Sequence, residues 1–342
     1  MELDLLRGAS ALAVIVLHAS GDVLNEEAAL GQASWTFLVP NVTARFAVPV
    51  FMILSGMGLT LSVRADENYP SFVWRRLSKI VPAYVAWTLI YTWAFPHHES
   101  VSARTFVSDL ITGGASRHLY FVPAVVRLYL LHPVVSYIAR TPWGTAACCA
   151  LSWSMIWLSP PLAHTPFGAL LDDVLPLRWM GYFALGIWLA NARSANQPVR
   201  ALARAQALAP VAAIAALGCM ITVVRRIVGH GADIEVALGA AEPLVFPYSV
   251  AVLLWSTTLH FDAGRIVRFV LFVSKHSYAV YLSHDLMLKV CARSVQALAD
   301  ERSHLTMFST SLALGIPLAL ATAVLSERAK RGYKTVARSA LP

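Results

Sequence analysis

Apolar runs close to the length of a membrane-spanning helix recur from residue 8 to residue 325, and no polar stretch between them is long enough to form a sizeable soluble domain. A bilayer needs about 20 apolar residues per helical span. The runs predict ten spans, at residues 8–24, 44–63, 79–95, 119–139, 144–158, 175–191, 207–224, 243–260, 269–292 and 305–325. The fifth is short and rich in tryptophan (Trp143, Trp153, Trp157), and Lys275, His276 and Lys289 interrupt the ninth. Charged residues make up 13% of the chain, against roughly 25% in soluble domains. The expected fold class is all-α, a polytopic membrane helix bundle forming a single membrane domain over residues 1–342, with no appended soluble domain and no internal repeat. The first apolar run lacks the basic flank and cleavage site of a secretory signal, so it is expected to remain as a helix.

The net charge is +8, yet the distribution of the basic residues points to topology and away from a nucleic-acid partner. One set of alternate loops holds Arg64, Arg75, Arg76, Lys79, Arg140, Arg193, Arg200, Arg204, Arg265 and Arg268, followed by the basic tail. The other mixes its few arginines with acids such as Asp22, Glu26, Glu27, Glu99, Asp109, Asp172, Asp173, Glu235 and Glu301. By the positive-inside rule both termini are cytoplasmic. That places the protein as a multi-pass integral membrane protein, of the inner membrane in a bacterium. Cys148, Cys149, Cys219 and Cys291 lie in or beside apolar runs without disulfide or ligand spacing. The eleven histidines do not form a metal-binding pattern, and His97-His98 reads as a wet loop. No metal is expected.

Arg7 and His18 stand eleven residues apart in the first run. On a helix that separation rises about 16 Å and returns almost to the same face. Asp4 falls roughly on that face too. A charge at a helix centre costs about 2.5–3.5 kcal/mol on insertion scales, so such residues usually face a cavity and carry function. Arg127, midway along the fourth span, is a candidate on the same ground. A histidine can take a proton from a hydroxyl or accept an acyl group itself, and the residues alone do not choose between them.

Leu3-Asp4-x-x-Arg7-Gly8 followed by His18 resembles the opening of the acyltransferase 3 family of membrane acyltransferases. Val48-Pro49-Val50-Phe51-Met52-Ile53-Leu54-Ser55-Gly56 resembles that family's second helix, and Arg75-Arg76-x-x-Lys79-Ile80-x-Pro82-x-Tyr84 its basic approach to the third. His118-Leu119-Tyr120-Phe121-Val122-Pro123 resembles the fourth, and Ser277-Tyr278-x-x-Tyr281-Leu282-x-His284 a late element. The motifs are collinear over almost the whole chain. Two departures are Lys79, where the family often has a second Arg, and Tyr120, where Trp is commoner.

The resemblance implies an O-acyltransferase, most often an O-acetyltransferase. The donor would be acetyl-CoA or another acyl-CoA, and the acceptor a hydroxyl of a carbohydrate or lipid-linked glycan bound for the envelope. His18, Arg7 and Asp4 would be catalytic. Arg75, Arg76 and Lys79 would hold the phosphates of coenzyme A. Ser55, His118, Tyr120, Arg127, Ser277, Tyr278, Tyr281 and His284 would line the cavity. Membrane lipids and polysaccharide-assembly proteins are the expected partners. The competing class is a transporter or flippase of a glycan or lipid intermediate, which buried Arg, His and Tyr would equally suit. A membrane interaction scaffold would leave the buried charges unexplained.

Overall fold

A computed structural model describes residues 2–28, 32, 34–64, 67–95, 102–162, 175–194, 200–230, 234–262, 264–298 and 304–339. The described chain is helical throughout: α1 Glu2–Ala28, α2 Trp35–Ala44, α3 Ala47–Thr60, α4 Tyr69–Ala94, α5 Ala103–Thr112, α6 Phe121–Leu130, α7 His132–Ile138, α8 Pro142–Leu162, α9 Leu177–Ser194, α10 Arg200–Gly229, α11 Ile234–Ser256, α12 Arg265–Leu298 and α13 His304–Ser339. Each of the ten predicted spans falls on helix. Among the described residues five stretches are long and apolar enough to cross a bilayer by themselves: Glu2–Ala28, Trp35–Thr60, Ala203–Gly229, Ile234–Ser256 and His304–Arg328. The fourth predicted span is a broken one. Phe121–Leu130 and His132–Ile138 meet at 71°, where Pro133 cannot donate the next helical hydrogen bond. In α4, α9 and α12 charged residues dilute the apolar stretch, and α8 carries the tryptophans. The helices also run beyond the apolar limits read from sequence, because a polar turn that ends a hydrophobic run need not end a helix.

Local signals set several ends. Asn68 caps α4 by accepting from the Ser71 N–H at 3.0 Å, with Pro70 in the first turn. Ser102 and Thr105 form a reciprocal capping box at the start of α5. Gly113 closes α5 in the left-handed region, at φ 83°.

Cα packing resolves two compact units interleaved along the chain, Met1–Ala47 with Leu217–Ala241 and Ser256–Pro342, and Val48–Ala216 with Glu242–Trp255. In the first unit α12 and α13 form an antiparallel pair. His276 meets Glu327 at 3.2 Å, and Gly315 packs on Leu288. Ile15, Ala19, Val280, Leu288, Ala319 and Ala323 close an apolar core among α1, α12 and α13. In the second unit α3 and α9 cross through two glycines. A Cβ on Gly56 would lie 2.2 Å from the Phe183 carbonyl oxygen, and one on Gly186 would lie 2.0 Å from that of Ile53. Small residues of this kind let membrane helices approach closely. Ser152 joins α8 to α9, donating to the Leu177 carbonyl and accepting from the Gly181 N–H.

Candidate active site

In the first unit α1 and α12 run parallel, with Gly8 beside Val270 at one level and His18 beside His284 at the next. The contact at Gly8 is backbone on backbone, since a Cβ there would sit 2.2 Å from the Val270 carbonyl oxygen. This closeness puts the Arg7 turn directly against α12. Arg7 Nη1 donates to Asp4 Oδ1 at 3.2 Å. Both line an open cavity of about 470 Å³ together with Ser274, Lys275, Ser277 and Tyr278 of α12. Its lining offers two cations, one carboxylate and three hydroxyls, with apolar surface from Leu271 and the side-chain stems.

His18 lies about 16 Å farther along α1, outside the lining of that cavity. Its ring is 5.1 Å from the ring of His284, centroid to centroid, with the planes tilted by 46°. His284 is fully buried. The Tyr281 carbonyl oxygen lies 2.7 Å from its Nδ1. A carbonyl can only accept, so Nδ1 is the donor in this bond. On the other flank Asn41 of α2 donates to the Leu17 carbonyl at 3.0 Å and contacts Ser20 Oγ, fixing the turn that bears His18. Asp285, fully buried, takes a 2.7 Å ion pair from Lys289 on the same helix.

The basic residues belong to the second unit. Arg75 is already engaged. Its Nε donates to Glu67 Oε1 at 2.6 Å, its Nη2 bonds the other oxygen, and the same nitrogen reaches the Ser62 carbonyl at 3.1 Å. The hydrogen bond from Arg75 holds the Glu67 carboxyl below its ordinary value. Arg76 is half-buried, and its Nε is buried without a hydrogen-bond partner; Lys79 is exposed. Of the three, Arg76 and Lys79 have charge to offer a ligand. This turn of α4 is tied to the broken span: Tyr69 donates to the Leu130 carbonyl at 2.5 Å, and Phe72 packs against His132 at 5.4 Å.

The remaining expected cavity residues of this unit separate by role. Arg127 donates to the Ile111 carbonyl at 2.5 Å, in the last turn of α5, a position where a cation complements the helix dipole. The intramembrane charge read as a site residue is therefore also a cap. His118 is buried edge-on to Tyr91 at 5.2 Å, and Tyr120 stacks on Trp179 at 5.9 Å. Ser55 is half-buried beside the Gly56 crossing. His97 and His98 lie outside the described residues. Among the described residues no group of three or more metal-ligating side chains comes together.

The structure thus gathers Asp4, Arg7, Ser277 and Tyr278 in one cavity and brings half-buried His18 against buried His284, with buried Tyr281 beside it. A family profile described as an acyltransferase domain matches residues 2–328. The chain belongs to the acyltransferase 3 family. No curated protein and no solved structure matches it. As a member of the acyltransferase 3 family it is an integral membrane acyltransferase, and its all-helical architecture with several long apolar helices accords with that class. Sequence reasoning missed Ser274 as a lining residue, and treated Lys275 only as an interruption of an apolar run. A charge inside such a run was itself the usable signal. Glu67, the partner of Arg75, lies across a turn and had no signal of its own.

Proposed function

We propose that this membrane acyltransferase is an O-acyltransferase of the envelope, most often an O-acetyltransferase, with acyl-CoA as donor and a carbohydrate hydroxyl as acceptor. The observation that carries the reading is the packing of half-buried His18 against fully buried His284, three helical turns along α1 from Arg7. A neutral imidazole there acts as general base. It removes the proton of the acceptor hydroxyl, and the oxygen attacks the thioester carbonyl carbon. The carbon–sulfur bond breaks, and the coenzyme A thiolate leaves with the proton from His18. Ester and thiol are the products, and the histidine is regenerated. Arg7, paired with Asp4, orients the site. Arg76 and Lys79 bind donor phosphates, for which guanidinium and ammonium groups are suited. With both termini cytoplasmic, the donor arrives from the inside and the acceptor from the opposite face.

The test uses full-length protein in lipid nanodiscs supplied with radiolabelled acetyl-CoA and envelope glycan, with transfer read by mass spectrometry. His18→Ala should leave folding and donor binding intact and slow transfer by at least about 10²-fold, the low end for loss of a general base. Wild-type transfer by folded His18→Ala protein would end this reading. Glycan translocation without ester formation would favour a flippase.

A further inference from the structure

The cavity beside Arg7 holds a second cation that the chemistry at His18 does not use. Lys275 is exposed on α12 and lines this cavity of about 470 Å³ together with Arg7. Arg7 is matched by Asp4 at 3.2 Å. The ion pairs made by α12 are His276 with Glu327 and Lys289 with Asp285, and among the described residues no acid pairs with Lys275. The cavity lining therefore carries a net positive charge. An ammonium within an apolar run is costly in lipid and marks a site by default. Helical side chains tilt toward the helix N-terminus, so Lys275 leans toward the level of Val270, where Gly8 and the Arg7 turn pack. Arg7 spends one N–H on Asp4 and has four more. Buried Ser274 and Ser277 add hydroxyls to the same wall. Two cations backed by hydroxyl donors are suited to a phosphate.

We propose that Lys275 and Arg7 form a subsite for the diphosphate of the acyl donor, with the pantetheine arm laid along α12 toward His18, a reading that rests on acyl-CoA being the donor. Length supports it. From phosphorus to sulphur the arm has roughly thirteen bonds, and an extended chain advances about 1.1–1.2 Å per bond, so the arm spans about 15 Å. Arg7 and His18 are about 16 Å apart along α1. A donor whose diphosphate sits at Arg7 and Lys275 therefore brings its thioester to the level of His18. Ser274, Ser277, Tyr278 and Tyr281 follow one another on α12 at steps of three or four residues and share a face. That face runs in the direction of the arm and offers hydroxyls to its two amides. Coenzyme A carries phosphate in two places, the diphosphate and the ribose, so this subsite adds to Arg76 and Lys79 and does not replace them.

The phosphate of a lipid headgroup has the same chemistry, and the test separates the two sources. Full-length protein is placed in nanodiscs of phosphatidylcholine, with and without phosphatidylglycerol. Dissociation constants are read by displacement of radiolabelled acetyl-CoA with three probes: coenzyme A, dephospho-coenzyme A, which keeps the diphosphate but lacks the ribose phosphate, and pantetheine, which has no phosphate. Lys275→Gln should weaken coenzyme A and dephospho-coenzyme A by the same factor, about tenfold or more for one lost charge-assisted bond. It should leave pantetheine unchanged, and Lys275→Arg should bind close to wild type. In a chain with the four native cysteines replaced, bromoacetyl-CoA should alkylate His18→Cys, the thiolate displacing bromide, and more slowly once Lys275→Gln is added. Wild-type affinity in Lys275→Gln, an equal loss for pantetheine, a loss that vanishes with dephospho-coenzyme A, or no alkylation at position 18 would overturn the assignment. A Lys275 effect confined to nanodiscs with phosphatidylglycerol would overturn it too, marking a bound headgroup. If wild type binds acetyl-CoA and Lys275→Gln binds it equally well, this inference alone fails. If wild type does not bind acetyl-CoA, the proposed donor fails with it.

Discussion

At the scale of single residues, the basic turn of α4 divides by what each charge already touches. Arg75 is bound by Glu67 and the Ser62 carbonyl, whereas among the described residues no acid forms such a pair with Arg76 or Lys79. Replacing Arg76 and Lys79 together by glutamine should raise the KM for the acyl donor tenfold or more, since charge-assisted bonds contribute about 1.5–3 kcal/mol each. Arg75→Gln should instead act through stability, and an unchanged donor KM in the double variant would reduce all three to topology signals. The Glu67–Arg75 pair also has a pH signature. Because the folded carboxyl is held below its ordinary 4.5, its contribution is fully present above the unfolded value and is lost as pH falls through the folded value. The gap in melting temperature between wild type and Glu67→Gln should therefore be constant near neutrality and close in acid. A gap that persists in strong acid would assign it to packing. The Arg7–His18 spacing was legible because a helix maps sequence distance onto a face. The partners of Arg75, Arg127 and His18 were not, because each is reached through a turn or from another helix, and no local rule encodes such a meeting.

Among the elements, close crossings do the positioning. Gly8 on α1 and Gly186 on α9 each face a backbone carbonyl that no side-chain movement can withdraw. Gly8→Ala and Gly186→Ala should each destabilise the protein by about 1–3 kcal/mol, the usual range for overpacking. Gly58→Ala, with nothing within 4 Å of the added carbon, should leave the melting temperature unchanged or raised. If all three variants melt alike, the helices are not held at these points. Gly8→Ala should also slow transfer, since separating α1 from α12 draws His18 away from His284. The helices themselves were legible in the hydrophobic runs, which is why every expected span falls on one. Their ends were less so, and the break at His132-Pro133 was missed because the apolar run resumes beyond it, although Pro133 was a usable signal.

For the whole molecule, the charge asymmetry of the loops predicts ten crossings with both ends inside. The parallel course of α1 and α12 fits that scheme, which places eight crossings between their starts, an even number. In a chain with its four unbridged cysteines replaced, Ala103→Cys should react with an impermeant maleimide in intact cells, and Ala203→Cys only after permeabilisation. Both positions are exposed. Labelling of both from one side would refute the scheme. The interleaving of the two units also bears on how the protein is made. α1 emerges from the ribosome well before two of the helices it packs against, α12 and α13. Until those two are made, Arg7 and His18 sit in an inserted helix that has α2 beside it but lacks α12 and α13, a costly state in lipid. A polypeptide stopped anywhere before residue 265 would carry many finished helices and no His18–His284 pair, with polar groups displayed to the bilayer where membrane proteases can find them. On the proposed mechanism, a copy can consume no donor until α12 has been made.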